Sequence, residues 1–358
     1  MAANSRMAVF FENACPAGWE VEPLAQGRMV VSVTNGTQGG FTVNSPLSDM
    51  EVRSHNHASQ AVTVLASKSV SGSKGSDYTS AARGQQFGSN NTENAPSGAA
   101  FVQLQLCLSP QADALPSLPT DTVVFFDLDT FACPSGFVPL KDASGRVMVP
   151  SHDAEITKSD AAPLADQEDR QHAHTDDGSC DIATQPTDYE GIGGCCNDAP
   201  SASGRYPVTV TANASSTNVP YIQMLTCGSQ GSQGGDLPDG ALVFSVSELG
   251  CPAGWTLFDE LGGRFPVVTP TGGTPGATFG GSPVTRASPN GVTHTHDLHG
   301  AIETQAAGVE LVSGCCAHGY AENGVYEYAC ASSADDAVLP YLMAPLCRKG
   351  PSPALRGA

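Results

Sequence analysis

The feature that most constrains the fold of this chain is a five-residue motif that occurs three times at equal spacing. Cys-Pro-Ala-Gly-Trp begins at Cys15 and again at Cys251, and a variant, Cys-Pro-Ser-Gly-Phe, begins at Cys133. Successive motifs lie 118 residues apart. A Gly-Arg pair at 27–28, 145–146 and 263–264 keeps the same interval, and cysteines at 107, 227 and 347 follow at intervals of 120. The chain is therefore a threefold repeat.

Two stretches rich in Pro, Gly, Ser and Asp separate the repeats and are typical of linkers. We predict β repeats at 7–109, 121–228 and 240–347, with linkers at 110–120 and 229–239 and a C-terminal tail at 348–358. Each repeat has roughly the length of an ordinary small domain, which is enough for one modest core.

The composition favours strands over helices. The chain has 39 glycines and 26 prolines, and only 15% of its residues are charged. Short runs rich in β-branched and aromatic residues are bounded by Gly, Pro, Asn and Ser, which is the pattern of strands and turns. We predict an all-β protein of three tandem, disulfide-stapled domains, each resembling a sandwich or a barrel.

Charge and hydropathy exclude two classes of partner. The formal net charge of −20 repels a phosphate backbone, so we expect no nucleic-acid partner. No apolar run approaches the roughly 18 residues that a membrane-spanning helix needs, so we expect no membrane span.

The repeated motif predicts a reversal of the chain closed by a disulfide. Proline in the second position and glycine in the fourth suit a type I turn. Pairing the first and last regular cysteines of each repeat gives Cys15–Cys107, Cys133–Cys227 and Cys251–Cys347. In the chain-entropy model, a bridge that closes about 100 residues contributes about 4 to 5 kcal/mol.

Six cysteines remain, three in each of the last two repeats. One cysteine per repeat can bridge to another repeat or molecule, adjacent cysteines can bond to each other and leave Cys180 and Cys330, or a disulfide within the loop can leave one unpaired thiol per repeat; the sequence leaves these alternatives open. An even total of twelve cysteines at repeated positions indicates an oxidising, extracellular location. Three sequons, at Asn35, Asn90 and Asn213, are candidate glycosylation sites. The remaining cysteines are Cys180, Cys195, Cys196, Cys315, Cys316 and Cys330.

Each repeat also carries one His-x-His sequence, about 40 residues after its leading cysteine. On an extended segment residues i and i+2 point to the same side, so both imidazoles of a pair can face one centre. The candidate metal ligands are His55, His57, His172, His174, His294 and His296.

In their order along the chain, the motifs Cys-Pro-x-Gly-Trp, Gly-Arg-Phe, His-x-His and Pro-Tyr-Ile-Gln resemble the receptor-binding tips of phage tail fibres and related collar domains. In that family three identical chains wind together, and their His-x-His motifs jointly hold an axial metal ion with six imidazoles. The resemblance implies that the six histidines are the ligands, and that three repeats in one chain imitate the trimer. It covers short motifs in each repeat. "GRMVV" and "GRVMVP" lack the Phe of "GRFP", and "FVQLQLC" lacks Pro-Tyr.

Two other interpretations of the histidines stay open. A His-x-His can be a polar strand face or turn without a ligand. Alternatively, the third repeat alone offers Asp297, His299 and His318 beside its pair, and a three-histidine zinc centre with an open position would indicate hydrolytic chemistry. No cofactor is required by any motif, and zinc or iron is the metal that the histidine pairs would bind.

The sequence contains no recognisable catalytic motif, so we predict a protein that is not an enzyme. Serial β-domains with an extended tail are typical of chains that dock head to tail, and a head-to-tail contact that does not close produces a filament. The leading hypothesis is an extracellular structural protein that polymerises with itself into a fibril. The alternative is an adhesin that binds a receptor or cell-surface glycan, as the tail-fibre resemblance implies.

Overall fold

The computed structural model describes residues 5–33, 39–65, 84–111, 115–127, 130, 132–153, 155–182, 189–190, 204–231, 236–285, 293–303, 307–310, 318–321, 325–332, 335–336 and 339–350. Within those ranges the side chains at 62–65, 84–90, 175–182, 189–190, 204–210, 299–303, 307–310, 318–321, 325–329 and 335–336 are left undescribed. Of the predicted sites, the side chains of Asn35, Asn90, Cys180, Cys195, Cys196, Cys315 and Cys316 lie outside the described ones, as do residues 351–358 of the tail.

Regular structure in the described part of the chain is almost entirely β. The first repeat contains β1 (Met7–Phe11), β2 (Glu20–Val21), β3 (Met29–Val33), β4 (Thr42–Val43), β5 (Ser54–His55), β6 (Ala58–Leu65), β7 (Gly84–Asn91), β8 (Ala95–Pro96) and β9 (Ala100–Leu108). The second contains β10 (Thr122–Phe126), β11 (Phe137–Pro139), β12 (Val147–Pro150), β13 (Thr157–Lys158), β14 (Gln171–His172), β15 (Thr175–Ile182), β16 (Tyr189–Glu190), β17 (Gly204–Ala212), β18 (Ser215–Ser216) and β19 (Tyr221–Ser229).

The third repeat contains β20 (Ala241–Ser245), β21 (Trp255–Leu257), β22 (Phe265–Val268), β23 (Thr278–Gly280), β24 (Thr293–His294), β25 (Asp297–Glu303), β26 (Ala307–Glu310), β27 (His318–Ala321), β28 (Val325–Ala331), β29 (Asp335–Asp336), β30 (Tyr341–Ala344) and β31 (Leu346–Lys349). Two single-turn 3-10 helices lie at Lys141–Ala143 and Asp259–Leu261. The prediction of an all-β fold is confirmed.

The opening strands of the three repeats pair with one another in a closed triangle. β1 pairs antiparallel with β10 at one end and with β20 at the other, and β10 and β20 pair with each other. All five residues of each strand are buried. Strands covered on both faces are expected to be continuously apolar rather than alternating, which accounts for MAVFF, TVVFF and ALVFS. The triangle defines an approximate threefold axis within one chain.

The closing strands also cross from one repeat to another, always in the same direction. β9 of the first repeat pairs parallel with β22 of the third, β19 of the second with β3 of the first, and β30 of the third with β12 of the second. Each of the three partner strands follows a Gly-Arg pair. The repeats are therefore interleaved around the axis. This pairing does not confirm three separate domains, and the predicted boundaries stay a prediction.

The hydrophobic core is shared by the three repeats as a consequence of this exchange. In one buried cluster, Phe10 of the first repeat packs with Phe125 of the second at a ring-centroid distance of 5.7 Å, and Phe244 of the third joins the same cluster. In another, Phe101 of the first repeat packs with Phe265 of the third at a ring-centroid distance of 6.4 Å. Burying apolar area between repeats gives each one a stabilising contribution that it lacks alone.

The repeated motif forms the predicted reversal, but the turn type is different. In the first repeat the N–H of Trp19 donates to the carbonyl of Pro16 at 3.0 Å, so proline is the first residue of the turn and not the second. Gly18 is the third residue and has φ of 82°, which a type II turn requires and a type I turn does not. The equivalent glycines, Gly136 and Gly254, have φ of 84° and 81°. The type I prediction is wrong.

Disulfides join the turn of each repeat to its own closing strand. The bonds are Cys15–Cys107, Cys133–Cys227 and Cys251–Cys347, the pairs expected from the spacing. Cys330 is disulfide-bonded as well. Three disulfides are typical of proteins in an oxidising compartment. Among the residues that the structure describes, none forms a helix with the length and apolarity to cross a bilayer.

Beyond the core, the three repeats contribute strands to a second sheet. Its order is β25-β28-β15-β17-β6-β7, with two strands from each repeat. The backbone of Glu93, which follows β7, donates to the carbonyl of Asp297 in β25 at 2.8 Å, so the first and last strands of this sheet also approach each other. The His-x-His sequences lie where the core gives way to this sheet.

Candidate metal centre

Each His-x-His lies between a two-stranded ladder and the first strand that its own repeat contributes to the second sheet. The first histidine of each pair lies in a two-residue strand that pairs within its own repeat: β5 with β8, β14 with β18 and β24 with β29. The second histidine comes two residues later, before β6, β15 or β25. We call His55, His172 and His294 the first triad and His57, His174 and His296 the second triad; together they form the histidine cluster.

All six predicted histidines meet on the approximate threefold axis. Their exposed fractions are between 0% and 8%, so the cluster is buried. The two rings of each pair lie 5.1 to 5.2 Å apart between centroids, in agreement with the expectation that both face one centre. Rings from different repeats are closer, with centroid distances of 4.7 to 4.9 Å.

The first triad places three nitrogen atoms in a nearly equilateral triangle. The Nε2 atoms are separated by 3.1 Å between His55 and His172, 3.0 Å between His172 and His294, and 3.2 Å between His294 and His55. Hydrogen bonds alone cannot satisfy this triangle. A ring nitrogen that carries a proton has no lone pair to accept with, so no nitrogen can both donate to one neighbour and accept from the other.

The remaining ring nitrogens of the first triad are also poorly satisfied. The Nδ1 atoms of all three rings are buried and have no hydrogen-bond partner in the described part of the chain. Leaving a buried polar group unpaired costs about 1 to 3 kcal/mol. The triad is therefore an unfavourable arrangement for three imidazoles by themselves.

Two rings of the second triad are oriented by backbone carbonyls of the next repeat. The Nδ1–H of His57 donates to the carbonyl of Asn213 at 2.8 Å, and the Nδ1–H of His296 donates to the carbonyl of Glu93 at 2.9 Å. Because a carbonyl can only accept, Nδ1 carries the proton and Nε2 keeps its lone pair. The Nε2 of His296 is buried without a hydrogen-bond partner among the described residues. Histidines that bind metal commonly donate their other N–H to such a carbonyl.

Hydroxyl groups hold the backbone of two histidines of the second triad in place. The backbone N–H of His57 donates to Thr92 Oγ1 at 2.9 Å, and that of His296 donates to Ser332 Oγ at 2.9 Å. Sequence reasoning missed these residues. Their signal is a small hydroxyl residue 35 or 36 positions after the second histidine in the first and third repeats. The structurally equivalent residue of the second repeat is Ala212, 38 positions after His174, whose backbone N–H donates to the carbonyl of His174.

Electrostatics keep the first triad neutral. Burial, with a smaller contribution from the neighbouring imidazoles, lowers the pKa of His55 to about 2 and the pKa values of His172 and His294 to about 3. Burial likewise lowers the pKa of His296. Neutral imidazoles are the form that binds transition metals.

The donor geometry suits a metal ion. Metal–nitrogen distances of about 2.1 Å put neighbouring ligands of an octahedron about 3.0 Å apart, close to the edges of the first triad. A buried group of five histidines could hold an ion, because their ligand atoms all lie within 4.8 Å of one another: His55, His57, His172, His294 and His296. The sixth ring, that of His174, lies 4.9 Å from those of both His57 and His294.

The other candidate ligands are not brought together by the described structure. Asp297 is exposed, and the side chains of His299 and His318 lie outside the described ones. The alternative three-histidine centre in the third repeat thus remains untested. No protein-family model, curated protein or solved structure matches this chain, so its function is inferred from the geometry of the site.

Proposed function

We propose that this chain is a non-enzymatic binding module, a single-chain counterpart of a trimeric fibre tip, whose interleaved repeats are locked together by one structural transition-metal ion. The observation that carries the proposal is the triangle of first-triad Nε2 atoms, 3.0 to 3.2 Å apart. An ion at the axis converts three mutually unsatisfied nitrogens into ligands.

The chemistry of the donor set indicates the kind of ion. Six imidazoles suit a divalent first-row metal such as iron or zinc, and they are poor ligands for calcium or magnesium, which prefer oxygen. An ion surrounded by protein ligands has no open position for a substrate, as is typical of structural centres. This argues for a role in stability.

The proposed binding role depends on the tail-fibre resemblance together with the threefold arrangement. Strand exchange among the three repeats reproduces within one chain the winding of three chains that the resemblance implies. The fibril hypothesis relied on docking of the tail, and residues 351–358 lie outside the described ones. Polymerisation therefore stays a prediction.

Metal analysis of the intact protein tests the proposal. Protein purified without chelator, or reloaded with Fe²⁺ or Zn²⁺ after chelation, is expected to contain about one ion per chain. His172→Ala should remove the ion and lower the melting temperature, whereas His152→Ala, at a histidine outside the cluster, should keep the ion. A wild-type protein that retains neither metal after reloading would overturn the metal centre.

The binding role is tested separately, with intact protein on an array of neutral and charged glycans. Saturable binding by monomers supports the module. Inert monomers that associate into filaments would instead support the structural fibril.

A further inference from the structure

A groove lies between the first and third repeats, away from the histidine cluster. Its cavity volume is about 470 Å³, within the usual range of about 300 to 1,000 Å³ for small-molecule sites. The apolar wall comes from Pro23, Leu24, Pro46, Leu47 and Pro270, and the polar wall from Gln26, Arg28, Thr42, Ser48, Asp49 and Thr271.

A fully buried glutamine fixes the carboxylate of this groove. Gln103, with 0% exposure, donates from Nε2 to Asp49 Oδ1 at 2.8 Å and to the carbonyl of Thr274 at 2.8 Å. Its Oε1 accepts from the backbone N–H of Met50 at 2.9 Å. The same Asp49 oxygen accepts from the backbone N–H of Thr274 at 3.0 Å. The carboxylate is thus held in one orientation by both repeats.

Among the described residues, the other repeats do not build this arrangement. The position of Gln103 is occupied by Gln223 in the second repeat, whose Oε1 is buried without a partner in the described structure, and by Met343 in the third. The hydrogen bond from Gln103 to Asp49 is therefore specific to the first repeat and is not a general feature of the repeat fold.

The groove between the first and third repeats has an equivalent place at the interface between the second and third repeats, and there the side chain of His152 fills the space. His152 lies so close to Gly262 that a Cβ on the glycine would come within 2.4 Å of the His152 Nδ1. In the groove, Pro270 of the third repeat takes the position of His152, and Gln26 of the first repeat takes the position of Gly262. In the groove Gln26 Oε1 accepts from the hydroxyl of Thr271 at 2.9 Å.

Both signs of charge and both hydrogen-bonding roles meet in the groove. Asp49 supplies acceptors, and its hydrogen bond from Gln103 lowers the pKa of the carboxyl, so it is ionised at neutral pH. The Arg28 guanidinium donates from Nη2 to the carbonyl of Asn44 at 3.1 Å, and since it has five N–H donors it can serve a ligand as well. Hydroxyls of Thr42, Ser48 and Thr271 can act in either role.

We infer that this groove binds a neutral saccharide. Vicinal hydroxyls match paired donors and acceptors, and the C–H face of a sugar ring matches the proline and leucine wall. An anionic sugar is disfavoured by Asp49 and by the net charge of −20. The inference rests on the proposed binding role and names the ligand class and the place where it binds.

The experiment uses the full-length, metal-loaded protein on an array of neutral oligosaccharides, with the strongest binder then titrated by calorimetry. Asp49→Ala removes the anchored carboxylate and should weaken binding by about tenfold or more. Asp166→Ala, the equivalent exposed position of the second repeat, is the matched control and should leave affinity unchanged. Thr271→Trp, at an exposed position, should block the groove without touching Asp49.

The outcomes separate the groove from the wider proposal. Binding that both Asp49→Ala and Thr271→Trp weaken, with metal content unchanged, supports the groove. Binding of any glycan by the wild type that survives both substitutions overturns the groove and leaves the binding module standing. Absence of binding by a correctly folded, metal-loaded wild type overturns the groove and the binding role together.

Discussion

At the scale of single residues, the two triads lie on the same axis but differ in the hydrogen-bond partners of their ring nitrogens. Two rings of the second triad are oriented by carbonyls, that of His57 by Asn213 and that of His296 by Glu93. The first triad has its Nε2 atoms against one another and its Nδ1 atoms without partners in the described structure. The first triad is therefore the part of the cluster that gains most from an ion.

The burial of the first triad predicts how the free energy of unfolding of the metal-free protein changes with pH. The pKa values of His55, His172 and His294 fall from 6.5 to about 2 or 3 on folding. Below pH 6.5 the unfolded chain takes up protons that the folded chain does not, so stability is complete above pH 6.5 and is lost as the pH falls toward 3. Each first-triad histidine should contribute a slope of about 1.4 kcal/mol per pH unit.

Urea unfolding of chelated protein between about pH 6.5 and pH 5 measures that slope. His172→Gln should give a shallower slope by about 1.4 kcal/mol per pH unit, whereas Thr271→Ala, far from any titrating group of the cluster, should keep it. Equal slopes for wild type and His172→Gln would show that this imidazole is not held neutral in the folded state.

At the scale of elements, the glycine of the Gly-Arg pair forms a backbone hydrogen bond to the neighbouring repeat. Gly145 donates its N–H to the carbonyl of Ser32 in the first repeat at 2.8 Å, and it has φ of 67°. A Cβ at this position would lie 2.4 Å from the carbonyl oxygen of Leu164. Both the backbone conformation and the close approach therefore demand glycine.

We expect Gly145→Ala to destabilise the protein more than backbone strain alone explains. The control is Gly240→Ala, which has φ of 84° but nothing within 4 Å of the added Cβ. Strain in the left-handed region should cost about 1 to 2 kcal/mol at either position, and the clash at Gly145 should add about 1 to 3 kcal/mol. The free energy of unfolding in urea compares them; equal losses would contradict the requirement for glycine imposed by the close approach of Leu164.

At the scale of the whole molecule, the repeats can be predicted from the spacing of their motifs, whereas their winding together was implied only by the tail-fibre resemblance. Disulfide partners and His-x-His positions follow from spacing, because Cys133 and Cys227 recur in register with their counterparts. Strand exchange does not, since the pairing of Phe265 with Phe101 joins residues in different repeats and leaves no local pattern. Three domains in a row and three interleaved repeats would have the same sequence period, so the spacing of the motifs cannot distinguish them. The carbonyls of Asn213 and Glu93 also carry no residue-type signal.

Interleaving predicts the behaviour of one repeat in isolation. Residues 121–228 alone keep the pairing of β10 and β11 with β19, but they lose the strands of the first and third repeats that pair with β10, β12 and β19. The bond between Cys133 and Cys227 remains, but the strand edges are exposed, and the part of the shared core that one repeat supplies cannot offset the conformational entropy of folding. We therefore expect this fragment to be unfolded as a monomer, or to fold only by assembling into a trimer in which each copy supplies the missing strands to the next. Light scattering and circular dichroism across a concentration series distinguish these states. A cooperatively folded monomer would show that the repeat is an independent domain and that strand exchange is dispensable.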